Sequence, residues 1–310
     1  MSLMRTILLA GSQSAWLRER AMRWGFVKRA TKRFMPGERL EDALGAAAAL
    51  QREGMSTILT HLGENLAALS EADGVVAHYL QAQDQVKASG LDAEMSVKLT
   101  QLGLDQSPDA CHRNLARIAD HARALGRSVW IDMEGSAYTD VTLDLFRRIR
   151  RERDNVGICV QSYLRRTNQD LDTLLPLGAA IRLVKGAYKE PATIAFASKR
   201  EVDESFFQLA TRMLSAEARK AGVFAGFGTH DGALIERITQ HASATGVPKD
   251  AFEFEMLYGI RREAQTRLVA DGYRLRVLVS YGEFWFPWYM RRLAERPANV
   301  LFVVKNLFKG

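Results

Sequence analysis

Hydrophobic and polar positions along the chain follow two different rhythms, one before and one after residue 54. The first 54 residues read as helical, with Ser14 as a candidate N-cap and an alanine-rich stretch, Glu38 to Glu53, that ends at Gly54. After that, short β-rich runs alternate with longer stretches of helical periodicity, which is typical of repeated βαβ units. We therefore predict an N-terminal helical extension over residues 1–54 and a catalytic α/β barrel over residues 55–310.

Eight runs in the second part have the length and composition of strands. They are Ser56–Leu62, Glu94–Thr100, Ser128–Glu134, Val156–Ser162, Ala180–Gly186, Val223–His230, Phe252–Gly259 and Leu275–Gly282. Eight parallel strands with helix-length connections are what a closed (βα)8 barrel requires. An open doubly wound sheet gives fewer strands over this length. The predicted fold class is therefore α/β, a (βα)8 barrel with an N-terminal helical extension.

Alternation within the strands predicts which side chains face the barrel axis, because neighbours along a strand point to opposite faces. The apolar alternate positions of the second and third strands should face the helices: Met95, Val97, Leu99, Val129, Ile131 and Met133. The intervening residues, and others near strand ends, should face the axis: Ser96, Lys98, Thr100, Asp132, Glu134, Gln161, Arg182, His230, Leu257 and Leu278. Polar groups that converge on the carboxyl ends of barrel strands predict an active site there.

The composition of the chain argues against several classes of function. The chain has 310 residues, 47% of them hydrophobic, and a formal charge of +7. Its cations are scattered rather than interleaved with aromatic residues, so we predict no nucleic-acid partner. Cys111 and Cys159 lack disulfide or metal-ligand spacing, which favours a reducing cytoplasm and no metal site. No apolar stretch reaches 18 residues, so we expect at most a peripheral contact with the inner membrane.

Motifs that are absent also restrict the cofactor. No G-x-G-x-x-G follows a strand, and the chain contains no G-x-x-x-x-G-K-[ST] and no H-E-x-x-H. A Rossmann site, a P-loop and common zinc hydrolase sites are therefore disfavoured. A nucleotide cofactor would have to lie in the mouth of the barrel.

Two groups of charged residues near strand ends are candidates for chemistry. Lys98 and Asp132 end neighbouring strands about 4.8 Å apart, so we expect an ion pair, either in the active site or purely structural. Arg182, Lys185 and Gly186 end the fifth strand, where two cations beside a glycine suit an anionic cofactor or a solvated turn equally well.

A third group follows the last strand. Arg291 and Arg292 are adjacent, and Glu295 lies one helical turn further on, where it can brace both guanidinium groups. The remaining donors suit a substrate carboxylate, although a solvated basic helix face is an equal alternative. Trp288 and its aromatic neighbours favour a partly buried pocket.

These residues resemble the FAD-dependent proline dehydrogenases, in particular the short monofunctional bacterial type. The resemblance spans most of the chain, and its pieces are specific because they occur in order on successive strand ends. They are Leu62–Glu64, Ser96–Gly103, Asp132–Glu134, Gln161–Arg165, Arg182–Tyr188, Thr229–Asp231, Phe252–Gly259 and Arg291–Glu295.

The resemblance implies oxidation of proline to 1-pyrroline-5-carboxylate, with hydride passing to FAD and electrons to a membrane quinone. It implies that Lys98 and Asp132 flank the substrate amine and that Arg182 lies near flavin N5. The residues implied to hold FAD are Gln161, Arg182, Val184, Lys185, Gly186, Ala187, Thr229 and His230. Those implied at the substrate are Glu64, Tyr188, Leu257, Leu278, Trp288, Arg291, Arg292 and Glu295.

Two positions depart from familiar members of that family, which carry tyrosine where this chain has Leu278 and Trp288. Both are expected near the substrate ring. We therefore predict altered ring selectivity, with hydroxyproline or pipecolate as competing substrates.

Two other functions remain open from the residues themselves. One is a Schiff-base aldolase that uses Lys185 or Lys98 as its nucleophile. The other is a non-catalytic barrel that binds amino acids, which would carry no flavin and show no turnover.

Overall fold

A computed structural model of the chain describes residues 34–63 and 66–286. Its strands are β1 (Ser56–His61), β2 (Ala93–Val97), β3 (Val129–Ile131), β4 (Val156–Gln161), β5 (Ala180–Val184), β6 (Phe224–Gly228), β7 (Phe252–Leu257) and β8 (Arg274–Tyr281). The α-helices are α1 (Leu40–Arg52), α2 (Glu71–Ala88), α3 (Pro108–Ala124), α4 (Thr139–Arg150), α5 (Thr167–Leu174), α6 (Lys199–Met213), α7 (Ala216–Lys220), α8 (Gly232–Ala244) and α9 (Arg262–Ala270). Short 3₁₀ turns occupy Leu99–Leu102, Ser136–Tyr138 and Leu175–Leu177.

The eight strands are parallel and close into one barrel in chain order, from β1 to β8 and back to β1. The closing pair sets Ile58 of β1 opposite Leu278 of β8. The predicted (βα)8 barrel is therefore confirmed. Its main core lies between the sheet and the helices, where Phe206 of α6 contacts Phe227 of β6.

The inward and outward faces agree with the alternation in the sequence. Met95 and Val129 pair in register and lie in the core beneath the helices, as predicted. Ser96 and Trp130 pair in the same register and point the other way, into the barrel.

All eight strands end earlier than predicted, and the difference is largest for β2 and β3, which each end three residues early. β2 ends at Val97 because a 3₁₀ turn, Leu99–Leu102, follows directly with Lys98 as its N-cap, and β3 ends at Ile131, one residue before Asp132. Lys98, Thr100, Asp132 and Glu134 therefore lie beyond the strand ends, in the loops of the mouth. Thr100 is fully buried there, and its backbone N–H and hydroxyl both donate to the carboxylate of Glu134.

Helix α1 confirms the alanine-rich helical run, and it packs on β1 and β8. Its buried face consists of Leu40, Ala43, Ala46, Ala47 and Leu50. The helix predicted near Ser14 lies outside the described residues, and the division at residue 54 stays a prediction. Across residues 34–63 and 66–286, no helix is both long and apolar enough to cross a bilayer.

Two imidazole rings are in contact where α2 packs on the barrel, tilted by 39° to each other. The rings of His61 and His78 are 4.3 Å apart, and His78 Nε2 is 2.8 Å from the hydroxyl of Tyr281. Burial lowers the pKa of His61 to about 4, and repulsion from His78 and Lys98 adds to the effect. The folded protein therefore holds His61 neutral where an exposed histidine takes up a proton.

Stability should consequently fall in acid. His61 takes up a proton below about pH 6.5 in the unfolded chain but only near pH 4 in the folded chain. The contribution of neutral His61 to the free energy of unfolding is therefore complete above pH 6.5 and is lost as the pH falls from 6.5 to 4. The expected slope is at most about 1.4 kcal/mol per pH unit. Urea unfolding at several pH values would measure it, with His61→Phe as the comparison. Parallel pH profiles for the two proteins would contradict the assignment.

Candidate active site

Two arginines divide the polar interior of the barrel into two clusters. The upper cluster consists of Arg182, Asp132, Ser96 and Glu255. The lower cluster consists of Arg276, Glu253, Glu94 and Trp130. The Arg182 guanidinium lies 4.6 Å from the ring centroid of Trp130, so the two clusters are in contact.

In the upper cluster, Arg182 connects three strands across the barrel. Its Nη1 donates to Asp132 Oδ1 at 3.0 Å and to the Ser96 hydroxyl at 3.2 Å. The Ser96 hydroxyl donates to the same Asp132 oxygen at 2.6 Å. On its other side, Arg182 Nε forms an ion pair with Glu255 Oε2 at 2.6 Å, at an angle outside that of a hydrogen bond. Arg182 is thus held between two carboxylates with only 3% of its side chain exposed.

In the lower cluster, Arg276 Nε donates to Glu253 at 2.8 Å, and its Nη1 lies 3.6 Å from Glu94. The indole of Trp130 donates to Glu94 at 2.6 Å. Burial tends to lower the pKa of Arg276, but the attraction of Glu253 and Glu94 outweighs it and raises that pKa above its ordinary value.

Among the acids of the two clusters, Glu255 is the one whose ionisation is disfavoured by its surroundings. Burial raises its pKa well above the ordinary glutamate value, against the attraction of Arg182 and with repulsion from Glu253. Burial also opposes the charge on Arg182, yet Glu255 and Asp132 together keep the pKa of Arg182 above normal.

Above these clusters, two side chains from strand ends tie the loops of the mouth together. Gln161 donates through Nε2 to the carbonyls of Met133 and Glu134, at 3.2 and 3.3 Å. The backbone N–H of Leu257 donates to His230 Nε2 at 2.9 Å, which fixes the tautomer with hydrogen on Nδ1.

Several buried polar atoms of this region have no hydrogen-bond partner among the described residues. They are Arg182 Nη2, Gln161 Oε1, Glu255 Oε1, Thr60 Oγ1 and Ser280 Oγ. Unpaired buried donors and acceptors are costly in a folded protein and call for an explanation. A ligand with both donor and acceptor edges would satisfy such a set.

The prediction of an ion pair between Lys98 and Asp132 is wrong. Arg182 is longer and reaches across the barrel, and together with Ser96 it occupies the Asp132 oxygen. Lys98 is 8% exposed and forms no ion pair with any residue in 34–63 or 66–286. It remains beside the mouth, close enough to His61 to disfavour protonation of that imidazole.

Lys185 belongs to a separate ionic network. Its Nζ lies 2.5 Å from Asp203 and 2.9 Å from Asp231, and Lys199 contacts the same two carboxylates. Burial would raise the pKa of Asp231, but hydrogen bonds from Lys199 and Lys185 hold that pKa well below its usual range. Sequence reasoning did not predict that Asp203 and Asp231 pair with Lys185, because these partners come from the start of α6 and the loop after β6.

Gly186 is required by a neighbouring side chain. Its φ of 105° lies in the left-handed region, and an added Cβ would be 2.2 Å from the ring of Tyr163. The close approach expected at Gly186 is therefore to Tyr163 within the chain itself.

The other predicted residues divide between the mouth and the part of the chain that is not described. Leu257 and Leu278 pair in register on β7 and β8 and are both partly exposed. Val184 ends β5, Ala187 and Tyr188 follow it, and Thr229 follows β6. Five predicted residues lie outside the described ranges: Glu64, Trp288, Arg291, Arg292 and Glu295.

Sequence reasoning also missed Glu255 and Trp130, although a signal for both was present. Glu255 lies two residues before Leu257, and Trp130 lies two residues before Asp132. Residues two apart on a strand face the same side, and both Leu257 and Asp132 were predicted to face the barrel axis. Acidic residues inside a buried strand, here Glu253 and Glu255 of β7, are the stronger of the two signals.

Comparison with known proteins identifies the family. The proline dehydrogenase family model matches residues 43–305. Proline dehydrogenase 1 of Bacillus subtilis subsp. natto is 37% identical over 307 residues, which is 99% of this chain and all of that protein. The proline dehydrogenase of Deinococcus radiodurans is 38% identical over 284 residues, 90% of each chain.

A solved structure agrees on the fold. Proline utilization A from Bdellovibrio bacteriovorus, inactivated by N-propargylglycine, superposes with a TM-score of 0.80 at 24% identity over 86% of this chain. The chain spans about a third of that larger protein, 32% of its length. Because the family model covers residues 43–305 and curated relatives match over 90–99% of the sequence, this chain belongs to the proline dehydrogenase family.

Proposed function

We propose that the chain oxidises L-proline to 1-pyrroline-5-carboxylate, with FAD bound in the mouth of the barrel and electrons passed on to a quinone. The observation that carries the proposal is the upper cluster, a buried arginine between two carboxylates with one donor left unpaired. The two relatives described above, which match 99% and 90% of the chain, are named proline dehydrogenases, and this supports proline as the first candidate substrate.

The residues of the mouth fit a flavin. Arg182 Nη2 and Gln161 Oε1 are a buried donor and a buried acceptor without partners, and the ring system of a flavin carries both kinds of edge. Gln161, Arg182, Val184, Gly186, Ala187, Thr229 and His230 would hold FAD, and Lys185 would face its anionic part. When bound, FAD supplies the hydride acceptor for the reaction.

The chain's own residues would then orient the substrate and stabilise charge. Positive charge develops on the ring nitrogen as hydride leaves, and the fixed carboxylate of Asp132 would stabilise it. Arg182 supplies a fixed positive charge that favours an electron-rich group in the mouth. Lys98 would lie beside the substrate, while Arg291 and Arg292, braced by Glu295 and Glu64, would bind its carboxylate.

A Schiff-base aldolase is the less favoured alternative. A nucleophilic amine must be able to reach the substrate carbonyl, but Lys185 Nζ is already in contact with two carboxylates, at 2.5 Å from Asp203 and 2.9 Å from Asp231. Borohydride trapping of a carbonyl substrate on the protein would support this alternative.

Product identification tests the proposed reaction. Purified protein with L-proline and a quinone should form a product that condenses with o-aminobenzaldehyde, as 1-pyrroline-5-carboxylate does. Reduction of the quinone without that product would contradict the assignment. Repeating the assay with anionic and with neutral vesicles that contain the quinone would test the proposed peripheral membrane contact.

We expect the enzyme to accept hydroxyproline or pipecolate in competition with proline. Leu278 and Leu257 form one apolar side of the mouth, and we propose that they contact the substrate ring together with Tyr188 and Trp288. Replacing Leu278 with tyrosine should raise kcat/KM for proline relative to hydroxyproline and pipecolate by about tenfold. Parallel kinetics on the three substrates would measure this ratio. A clear preference for proline at ordinary efficiency in the unmodified protein would contradict it.

A further inference from the structure

The interior of the barrel contains more acid than base. Its two clusters hold two guanidinium groups and four carboxyl groups, counted over the described residues. The ion pairs are Arg182 with Asp132 and Glu255, and Arg276 with Glu253 and Glu94. If every one of these groups were ionised, the two clusters together would carry two uncompensated negative charges. Low-dielectric surroundings disfavour such an excess and favour proton uptake by one of the acids.

Burial singles out which acid keeps the proton. The side chains of Asp132 and Glu94 are 19% and 16% exposed, so water solvates part of their charge. Glu253 is 1% exposed but accepts a hydrogen bond from Arg276 at 2.8 Å. Glu255 is 4% exposed and accepts no hydrogen bond through Oε1 from any described residue.

The surroundings of that oxygen explain why it stays unsatisfied. Glu255 Oε1 lies over Gly226 of the neighbouring strand β6, where an added Cβ would be 2.3 Å away. The glycine makes room for the carboxyl group but brings no donor to it. An unsolvated oxygen without a donor costs more in a carboxylate than in a neutral acid.

The groups that act on Glu255 come from four strands and one loop. They are Arg182 on β5, Cys159 on β4, Glu253 on β7, Arg276 on β8 and, through the Arg182 that it shares with Glu255, Asp132 after β3. Both arginines favour ionisation of Glu255. Burial and the charge of Glu253 oppose it, and burial is the largest of these effects.

We propose that Glu255 retains a proton inside the barrel and, through its contact with Arg182, makes the affinity of the mouth for negative charge dependent on pH. With Glu255 neutral, Asp132 is the one anion paired with Arg182, and its positive charge acts on the mouth. With Glu255 ionised, two carboxylates neutralise the guanidinium and its attraction for an anion weakens. Glu255 is thus a positioning residue that acts through Arg182, and its link to the cofactor rests on the proposed function.

Linkage fixes the sign of the effect. Negative charge added at the mouth must raise the proton affinity of Glu255, because a proton on Glu255 strengthens the attraction of Arg182 for that charge. Reduction of a bound flavin adds such charge. Within the pH window where Glu255 ionises, reduction should therefore be accompanied by uptake of one additional proton.

Infrared titration of the holoenzyme tests the retained proton. A neutral carboxyl group absorbs apart from carboxylates and amides, and its band should persist at pH values where exposed glutamates are fully ionised. Glu255→Gln should remove the band. In Glu253→Gln the band should disappear at a lower pH than in the unmodified protein, because the negative charge that opposes ionisation of Glu255 is gone. The result from Glu253→Gln also decides the matter if Glu255→Gln does not fold. Absence of the band, or its survival in Glu255→Gln, would overturn the proposal.

The midpoint potential of the bound flavin tests the link to the mouth. Across the same window the unmodified protein should bind one more proton per two electrons than Glu255→Gln. The reduction equilibrium of the two proteins should then diverge tenfold per pH unit, so the slopes of midpoint potential against pH should differ by about 30 mV per pH unit. Equal slopes in the two proteins would overturn the link. A protein without flavin would refute the proposed function, while the infrared band would still decide whether Glu255 holds the proton.

Discussion

Replacing Arg182 with methionine should lower kcat for proline oxidation by about 100-fold or more, normalised to bound flavin. The substitution removes the positive charge at the mouth and leaves Asp132 and Glu255 without their shared partner. Breaking one side of a buried ion pair also costs about 3–5 kcal/mol of folding free energy. Arg182→Lys should be intermediate, because it keeps the charge but loses the second guanidinium contact.

Arg276 provides a matched control for that experiment. It is a second buried arginine between two carboxylates, but it lies in the lower cluster. Arg276→Met should lose comparable stability in urea unfolding while changing kcat by much less than Arg182→Met. Equal losses of kcat in the two variants would mean that Arg182 acts only through stability.

Replacing Asp132 with asparagine should lower kcat by about 100-fold while KM changes little. Ser96 and Arg182 both donate to Oδ1, so an asparagine oxygen at that position can keep both hydrogen bonds. The substitution therefore removes the charge and preserves the geometry. Positive charge that develops on the substrate nitrogen would lose its fixed anion, which affects the transition state more than the bound substrate.

The control for this second variant lies at the opposite end of the barrel. Asp92 precedes β2 and also accepts hydrogen bonds from a serine, Ser56, and an arginine, Arg127. Asp92→Asn should leave kcat unchanged. If Asp132→Asn kept full activity as well, a role of its charge in catalysis would be excluded.

The barrel and its inward face were predictable from sequence for a simple reason. Strand alternation depends only on local backbone geometry, so the parity of Ser96, Asp132 and Arg182 is evident in the sequence and places all three inside. Eight strand-length runs separated by helical stretches then leave few alternatives to a closed barrel.

Partner choice inside the barrel was not predictable in the same way. Lys98 and Asp132 follow neighbouring strands, yet Asp132 pairs with Arg182 from two strands away. Which cation reaches Asp132 depends on side-chain length, barrel width and the early ends of β2 and β3. Such distances arise only when the sheet closes.

Contacts made across long loops could not be predicted from the sequence either, for a different reason. Lys185 meets Asp203 through a loop of more than a dozen residues between β5 and α6, and no periodic pattern constrains that loop. The roles of Arg291, Arg292, Glu295, Trp288 and Glu64 remain predictions, because these residues lie outside the described part of the chain.

The visible spectrum of the purified protein before and after anaerobic addition of L-proline tests the central claim most directly. A flavin spectrum that bleaches on addition of proline, and does not bleach on addition of an acyclic amino acid, is the predicted result. A colourless protein that gains no flavin absorbance on incubation with FAD, or a flavin that proline leaves oxidised, would contradict it.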